Sequence, residues 1–196
     1  MKERKNWIDY MIYLFWAFLI FTIILDLFLV PARTVYWVGA LLISLLIYRR
    51  KFLPKPIYLI MAVMFVFQVF GELYFGFFYT LPHYDKIDHI ISGIEFGTLF
   101  YFLFDRKIKD KKQLIWIAFL FSLSFEYAWE IIEYFSDIYL GTTTVGVVLR
   151  SPGEYINSAA RIIMPAYLDT IQDMIYSFVG AVVFVIGGFI LTRKRR

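Results

Sequence analysis

The chain contains no cysteine. Disulfides, thiolate metal ligands and cysteine nucleophiles are all excluded on that ground. Histidine is nearly as scarce, with two residues, so any imidazole chemistry rests on very few positions. There is no glycine-rich phosphate loop, no low-complexity tract and no obvious internal repeat. Nor is there a Ser-His-Asp arrangement in a recognisable context. What the chain has in excess is apolar: 61% of its 196 residues are hydrophobic, and the mean hydropathy is +0.67. No soluble domain has a core able to bury that share, so the bilayer must act as solvent for much of the surface. An aromatic content of 21% suits membrane interfaces and lipid-facing packing.

Six apolar stretches reach or approach the roughly 20 residues that a helix needs to cross the hydrocarbon. They are Tyr10–Val30, Ala32–Tyr48, Ile57–Tyr79, Ile87–Phe104, Gln113–Phe135 and Asp169–Thr192, the second being the shortest. The expected fold is an all-α polytopic bundle forming one domain over residues 1–196. The opening MKERKNW resembles a signal-peptide n-region, but the following apolar run is too long and lacks a small-residue cleavage site, so a retained first span is expected. Sixteen of the twenty basic residues fall at the N-terminus, after the second and fourth stretches, and after the last. Only Arg33, Lys86, Arg150 and Arg161 fall in the alternate loops. The positive-inside rule then places both termini in the cytoplasm of a cell (plasma or inner) membrane. The same distribution accounts for the net charge of +4 without a nucleic-acid partner.

The acids run the other way. Glu3, Asp9, Asp105 and Asp110 lie on the cytoplasmic side, and the other twelve of sixteen lie in outer loops or outer halves of spans. A carboxylate at mid-membrane costs about 2.5–3.5 kcal/mol on insertion scales, and this chain tolerates that cost repeatedly. Helical spacing gathers these acids into stripes. YDKIDHIISGIEFG (84–97) carries Asp85, Asp88, His89, Ser92 and Glu95 on one third of a helix. SFEYAWEIIEYFSD (124–137) carries Glu126, Glu130, Glu133 and Asp137 in a narrow line. DTIQDMIYSFVG (169–180) aligns Asp169, Asp173, Tyr176 and Gly180, where the glycine admits a neighbouring backbone. Gln68 and Glu72 form an i, i+4 pair on the third stretch, and Asp26 lies near the outer end of the first.

So many carboxylates cannot all stay ionised in a poorly hydrated pocket. A bound cation, shared protons or a watery vestibule would each resolve the conflict. The cation is the most economical: a divalent ion (zinc, magnesium or calcium) held by Asp85, His89, Glu130 and Asp173, with Asp169 and Glu72 as further ligands. Plainer roles stand beside this one. His89 suits an interfacial hydrogen bond, Asp85, Asp88 and Asp169 suit helix N-caps, and Glu133 and Asp137 suit the headgroup zone. Arg33 and Lys86 are most simply interface anchors.

Between the fifth and sixth stretches, SPGE (151–154) has the form of a capping box, with Ser151 as N-cap and Pro152 in the first turn. Tyr155, Ile156, Ala159, Ile162 and Ile163 then fall largely on one side, which predicts a short amphipathic helix over 151–163 lying on the outer leaflet. Arg150 and Arg161 are candidates to bind a lipid phosphate, with the helix as a lid or as a plain connector.

YDKIDHIISGIEFG, FEYAWEIIEY with YLGT after it, and LDTIQDMIYSFVGA together resemble the YjdF-type inner-membrane proteins, and more distantly the VanZ-like family. The resemblance covers roughly residues 80–185 and falls on Asp85, His89, Glu126, Glu130, Glu133, Asp169, Asp173 and Gly180. Two departures mark this chain: a long insertion after YLGT where the YjdF-type pattern has a short loop, and the Asn of the VanZ-like pattern, which either aligns with Asp173 or is absent. VanZ-like proteins are associated with glycopeptide resistance and the cell envelope, which implies an outward-facing site.

Three functions follow as expectations. The first is a metal-dependent hydrolase or transferase acting on a membrane lipid or lipid-linked envelope substrate, with Glu126 or Glu133 as general base. The second is a cation or proton transporter or channel built on intramembrane carboxylates. The third is a non-catalytic binding or assembly protein with a structural ion.

Overall fold

The protein is described by a computed structural model. It describes residues 6–81, 83–140, 148–149, 161–162 and 164–193. Four of its helices are long and apolar enough to cross a membrane: Trp7–Leu29, Tyr84–Phe104, Lys111–Phe135 (the greater part of a longer helix) and Ala166–Arg193. The protein is a helical membrane protein. Its chain divides into two compact units, Met1–Val66 and Phe67–Arg196.

In the first unit, α1 (Trp7–Leu29) and α2 (Pro31–Arg49) form a hairpin, and α3 (Lys55–Phe65) packs on α1. Asn6 and Asp9 cap α1 reciprocally. Pro31 opens α2 at a position where its missing N–H costs nothing. Each end of the hairpin is fastened by a buried aspartate. Asp9 accepts from the Tyr48 hydroxyl at 2.8 Å and pairs with Lys55 at 2.7 Å. Asp26, fully buried, accepts from Trp37 Nε1 at 2.7 Å and pairs with Arg33 at 2.9 Å. Between them, Trp16 Nε1 donates to the hydroxyls of Ser44 and Tyr58 at 2.9 and 3.0 Å. Two expectations change here. Arg33 is the counter-ion of Asp26, more than an interface anchor, and Asp26 is fully engaged within this unit.

The expected third span, 57–79, is interrupted. After α3 the backbone makes a π-helical turn, Val66–Phe70, followed by α4 (Gly71–Phe75) and α5 (Phe77–Thr80), with Gly76 at φ +63° between them. Only glycine adopts that conformation freely. The wider π turn leaves carbonyls without their usual helical donors. The Tyr84 hydroxyl donates to two of them, Phe67 O at 2.9 Å and Gln68 O.

The second unit is built on α6 (Tyr84–Phe104), α7 (Lys111–Leu140) and α8 (Ala166–Arg193), which all pack on one another. Contacts between α6 and α8 advance together along both helices, so the two are parallel, with α7 antiparallel to them. The α6–α8 contact is a glycine seam. A Cβ on Gly93 would lie 2.5 Å from the Ser177 carbonyl oxygen, and one on Gly180 would overlap the Ile90 backbone. The role expected of Gly180 is therefore met. From the α7 side, Ser122 donates to Gly93 O at 2.9 Å.

Neither Asp85 nor Asp88 caps α6: the helix starts at Tyr84, one turn earlier than expected, with His83 at the N-cap position. Asp169 likewise lies inside the first turn of α8, not at its cap. Most of the amphipathic helix expected over 151–163 lies outside the described residues. At Arg161–Ile162 the backbone is instead a short strand, antiparallel to Val148–Leu149, so no helix runs through those two positions.

Candidate functional site

The three acidic stripes meet where α6 and α8 begin and α7 nears its end. Helical periodicity explains the convergence: one turn separates Asp85 from His89, Glu126 from Glu130, and Asp169 from Asp173, so each helix offers a pair at one level. Glu126, Glu130, Asp169 and Asp173 are all buried.

His89 is the hub. Its Nδ1 lies 3.2 Å from Ser177 Oγ and 3.6 Å from Glu126 Oε2. Its Nε2 lies 3.4 Å from Glu130 Oε1, 3.5 Å from Asp85 Oδ1 and 3.7 Å from Asp173 Oδ1. Donor atoms of Asp85, His89 and Asp173 all fall within 4.8 Å of one another, a spacing compatible with sharing one ion. Glu130 is 1% exposed, and neither of its carboxylate oxygens has a hydrogen-bond partner among the described residues. Glu126 is held on one side by the Ser177 hydroxyl, which donates to Oε2 at 2.8 Å, while Oε1 has no partner among the described residues. Also on α6, Asp88 Oδ1 and, further along, Glu95 Oε1 are buried without hydrogen bonds among the described residues.

Lys86 is the residue that the sequence reading misassigned. It is buried, and its ammonium contacts Asp85 at 2.9 Å, Asp173 at 2.5 Å and Asp169. A buried lysine held by three carboxylates is no interface anchor. The signal was present in the spacing: Lys86, Gly93 and Gly97 stand at i, i+7 and i+11, so Lys86 shares the glycine face that packs on α8. Ser177 was also missed. Tyr176 had been placed on the working face of α8, but the buried Ser177, one turn from Asp173, makes the contacts with His89 and Glu126.

Of the other expected site residues, the side chains of Glu133 and Asp169 are described. Glu133 accepts from the indole of exposed Trp129 at 2.7 Å. Asp169 is engaged by Lys86. The side chains of Glu72, Asp137, Arg150 and Arg161 lie outside those described. Gln68, on the π-helical turn, reaches the Asp88 carbonyl at 3.4 Å and braces the start of α6.

The cluster thus holds six carboxylates around one histidine and one lysine: Asp85, Asp88, Glu126, Glu130, Asp169 and Asp173. Lys86 neutralises a single charge. Burying the rest ionised and unpaired is costly, so the site favours a further cation or bound protons.

No curated protein and no solved structure matches the chain. A family described as "Predicted membrane protein (DUF2238)" matches residues 8–194, which takes in the whole acidic cluster. The chain belongs to that family of predicted membrane proteins.

Proposed function

We propose that the cluster is a divalent-metal site and that the protein is a metal-dependent hydrolase or transferase acting on a lipid or lipid-linked envelope substrate. The observation that carries this reading is Glu130. Among the described residues this fully buried carboxylate has no hydrogen bond, and the one basic group beside it is the His89 imidazole at 3.4 Å, which Asp85, Glu126 and Asp173 share; a further cation would satisfy it. Asp85, His89, Glu130 and Asp173 are the ligands; Lys86 flanks the site, contacting Asp85 and Asp173 as well as Asp169. One imidazole among carboxylates suits a borderline or hard ion, and such an ion would polarise a phosphoryl or carbonyl oxygen. Glu126, fixed through one oxygen by Ser177 and without a hydrogen-bond partner at the other among the described residues, is the general base.

In this reading the chain crosses the membrane six times, with both termini in the cytoplasm and the cluster in the outer half of the bilayer. The charge asymmetry supports that orientation. The likeness of the three acidic motifs to YjdF-type and VanZ-like proteins supports an envelope substrate.

The test is elemental analysis and calorimetric titration of the purified protein with zinc, magnesium and calcium. One ion per chain is expected, lost in H89A and bound at least tenfold more weakly in E130Q. A chain that binds none of the three ends the reading. E126Q should keep the ion and lose turnover of lipid phosphoesters. An ion whose removal unfolds the protein, without turnover of any envelope lipid, points to a structural metal instead.

A second reading, cation or proton translocation, is favoured by Asp88 and Glu95, whose unpartnered oxygens continue the acidic row along α6. Liposome flux that E130Q abolishes would decide for it.

A further inference from the structure

At the opposite end of the second unit lies a pocket of about 1220 Å³ that the acidic cluster does not use. It is lined by Tyr101 from the last turn of α6, by Phe189 and Ile190 from the last turns of α8, and by a polar rim of Lys109, Lys111, Lys112 and Arg193 with one acid, Asp110. We propose that this pocket binds an anionic phospholipid, with the phosphate at the basic rim and the upper acyl carbons against the aromatic and aliphatic walls.

Three observations carry this inference. First, the rim cations are free: among the described residues, Lys109, Lys112 and Arg193 have no ion-pair partner, while Lys111, which also lines the pocket, is paired with Asp105. Second, side chains and not backbone must hold the anion. The first N–H groups of α7 are taken by Asp110, whose Oδ1 accepts from Lys112 N at 2.8 Å and Gln113 N at 3.4 Å. Third, size and composition favour a lipid over a free anion. A water's share of the liquid is about 30 Å³, so the pocket is far larger than inorganic phosphate requires, and an ion needs no aromatic wall. Basic pockets between spans on the cytoplasmic side are suited to lipid headgroups, and on this point the inference rests on the orientation proposed above. The inference is independent of whether the acidic cluster binds a metal.

Trp116 gives a direct reporter, because its ring lies 6.0 Å from that of Phe189. The experiment titrates the full chain in detergent with acyl-brominated phosphatidylglycerol or phosphatidylcholine and follows tryptophan quenching. Phosphatidylglycerol should quench at concentrations roughly 100-fold lower than phosphatidylcholine, and W116F should remove most of that quenching. Each rim lysine should contribute about fivefold to the preference, so K109Q/K112Q should lower it roughly 25-fold. R49Q/R50Q, an equal charge loss outside the pocket, should leave it unchanged. Equal affinity for the two lipids would overturn the proposal. So would an equal loss in R49Q/R50Q, or displacement of the lipid by millimolar inorganic phosphate.

Discussion

Gly93→Ala tests the packing on which the cluster depends. The new methyl carbon would stand 2.5 Å from Ser177 O and 3.0 Å from Ala181 N, whereas ordinary contact begins at 3.4 Å. Both obstacles are backbone atoms, which cannot rotate away. Relief therefore requires α6 and α8 to separate by roughly 1 Å, an overpacking strain of about 1–3 kcal/mol. The movement falls on α8, because Ser122 ties Gly93 to α7 on the other side. Asp173 and Ser177 travel with α8, so the 3.2 Å His89–Ser177 contact should break and the Asp173 carboxylate should withdraw from His89. The assay is reversible unfolding in mixed micelles together with cation titration, using Gly187→Ala as control. A Cβ at Gly187 meets nothing within 4 Å, and alanine is the better helix former, so that variant should be neutral or slightly stabilised. Gly93→Ala should lose 1–3 kcal/mol and, if the proposed metal site exists, bind a divalent cation at least tenfold more weakly. If it unfolds within about 0.5 kcal/mol of wild type, the two helices do not approach as described.

Lys86→Met strips the ammonium from three carboxylates and should destabilise by about 3–5 kcal/mol. Adding Asp169→Asn should recover part of that loss in the same unfolding assay; a double variant as weak as the sum of its parts would show that Lys86 and Asp169 are uncoupled. Trp37→Phe removes the indole donor to fully buried Asp26 and should cost about 1.5–3 kcal/mol. Thermal melts that leave Trp37→Phe unchanged would mean that Arg33 alone satisfies the carboxylate.

The legibility of this chain was uneven for a geometric reason. Periodicity states which residues share a face, and it found the faces of α6, α7 and α8 that meet: Asp85 with His89, Glu126 with Glu130, and Asp169 with Asp173. It does not state how far along its axis a helix remains enclosed. Glu133 lies nearly in line with Glu126 on α7, yet one turn past Glu130 it accepts from an exposed indole. Lys86 failed for a different reason. Reading it as an isolated charge near the membrane surface ignored the glycines that share its face, and that face is buried because α8 packs closely there. The broken third stretch was opaque for a third reason. A π turn arises from hydrogen bonds made in three dimensions, here by Tyr84, and leaves no periodic mark in FVFQVFGELYFG.

The paired aspartates of the first unit bear on how the chain enters the bilayer. Asp26 finds Arg33 and Trp37 within eleven positions of itself, and Asp9 finds both of its partners before position 56. Every group that these two acids need is therefore synthesised before residue 67. A nascent chain can thus hand the lipid a first unit whose two buried aspartates are already neutralised, while the later helices are still being made.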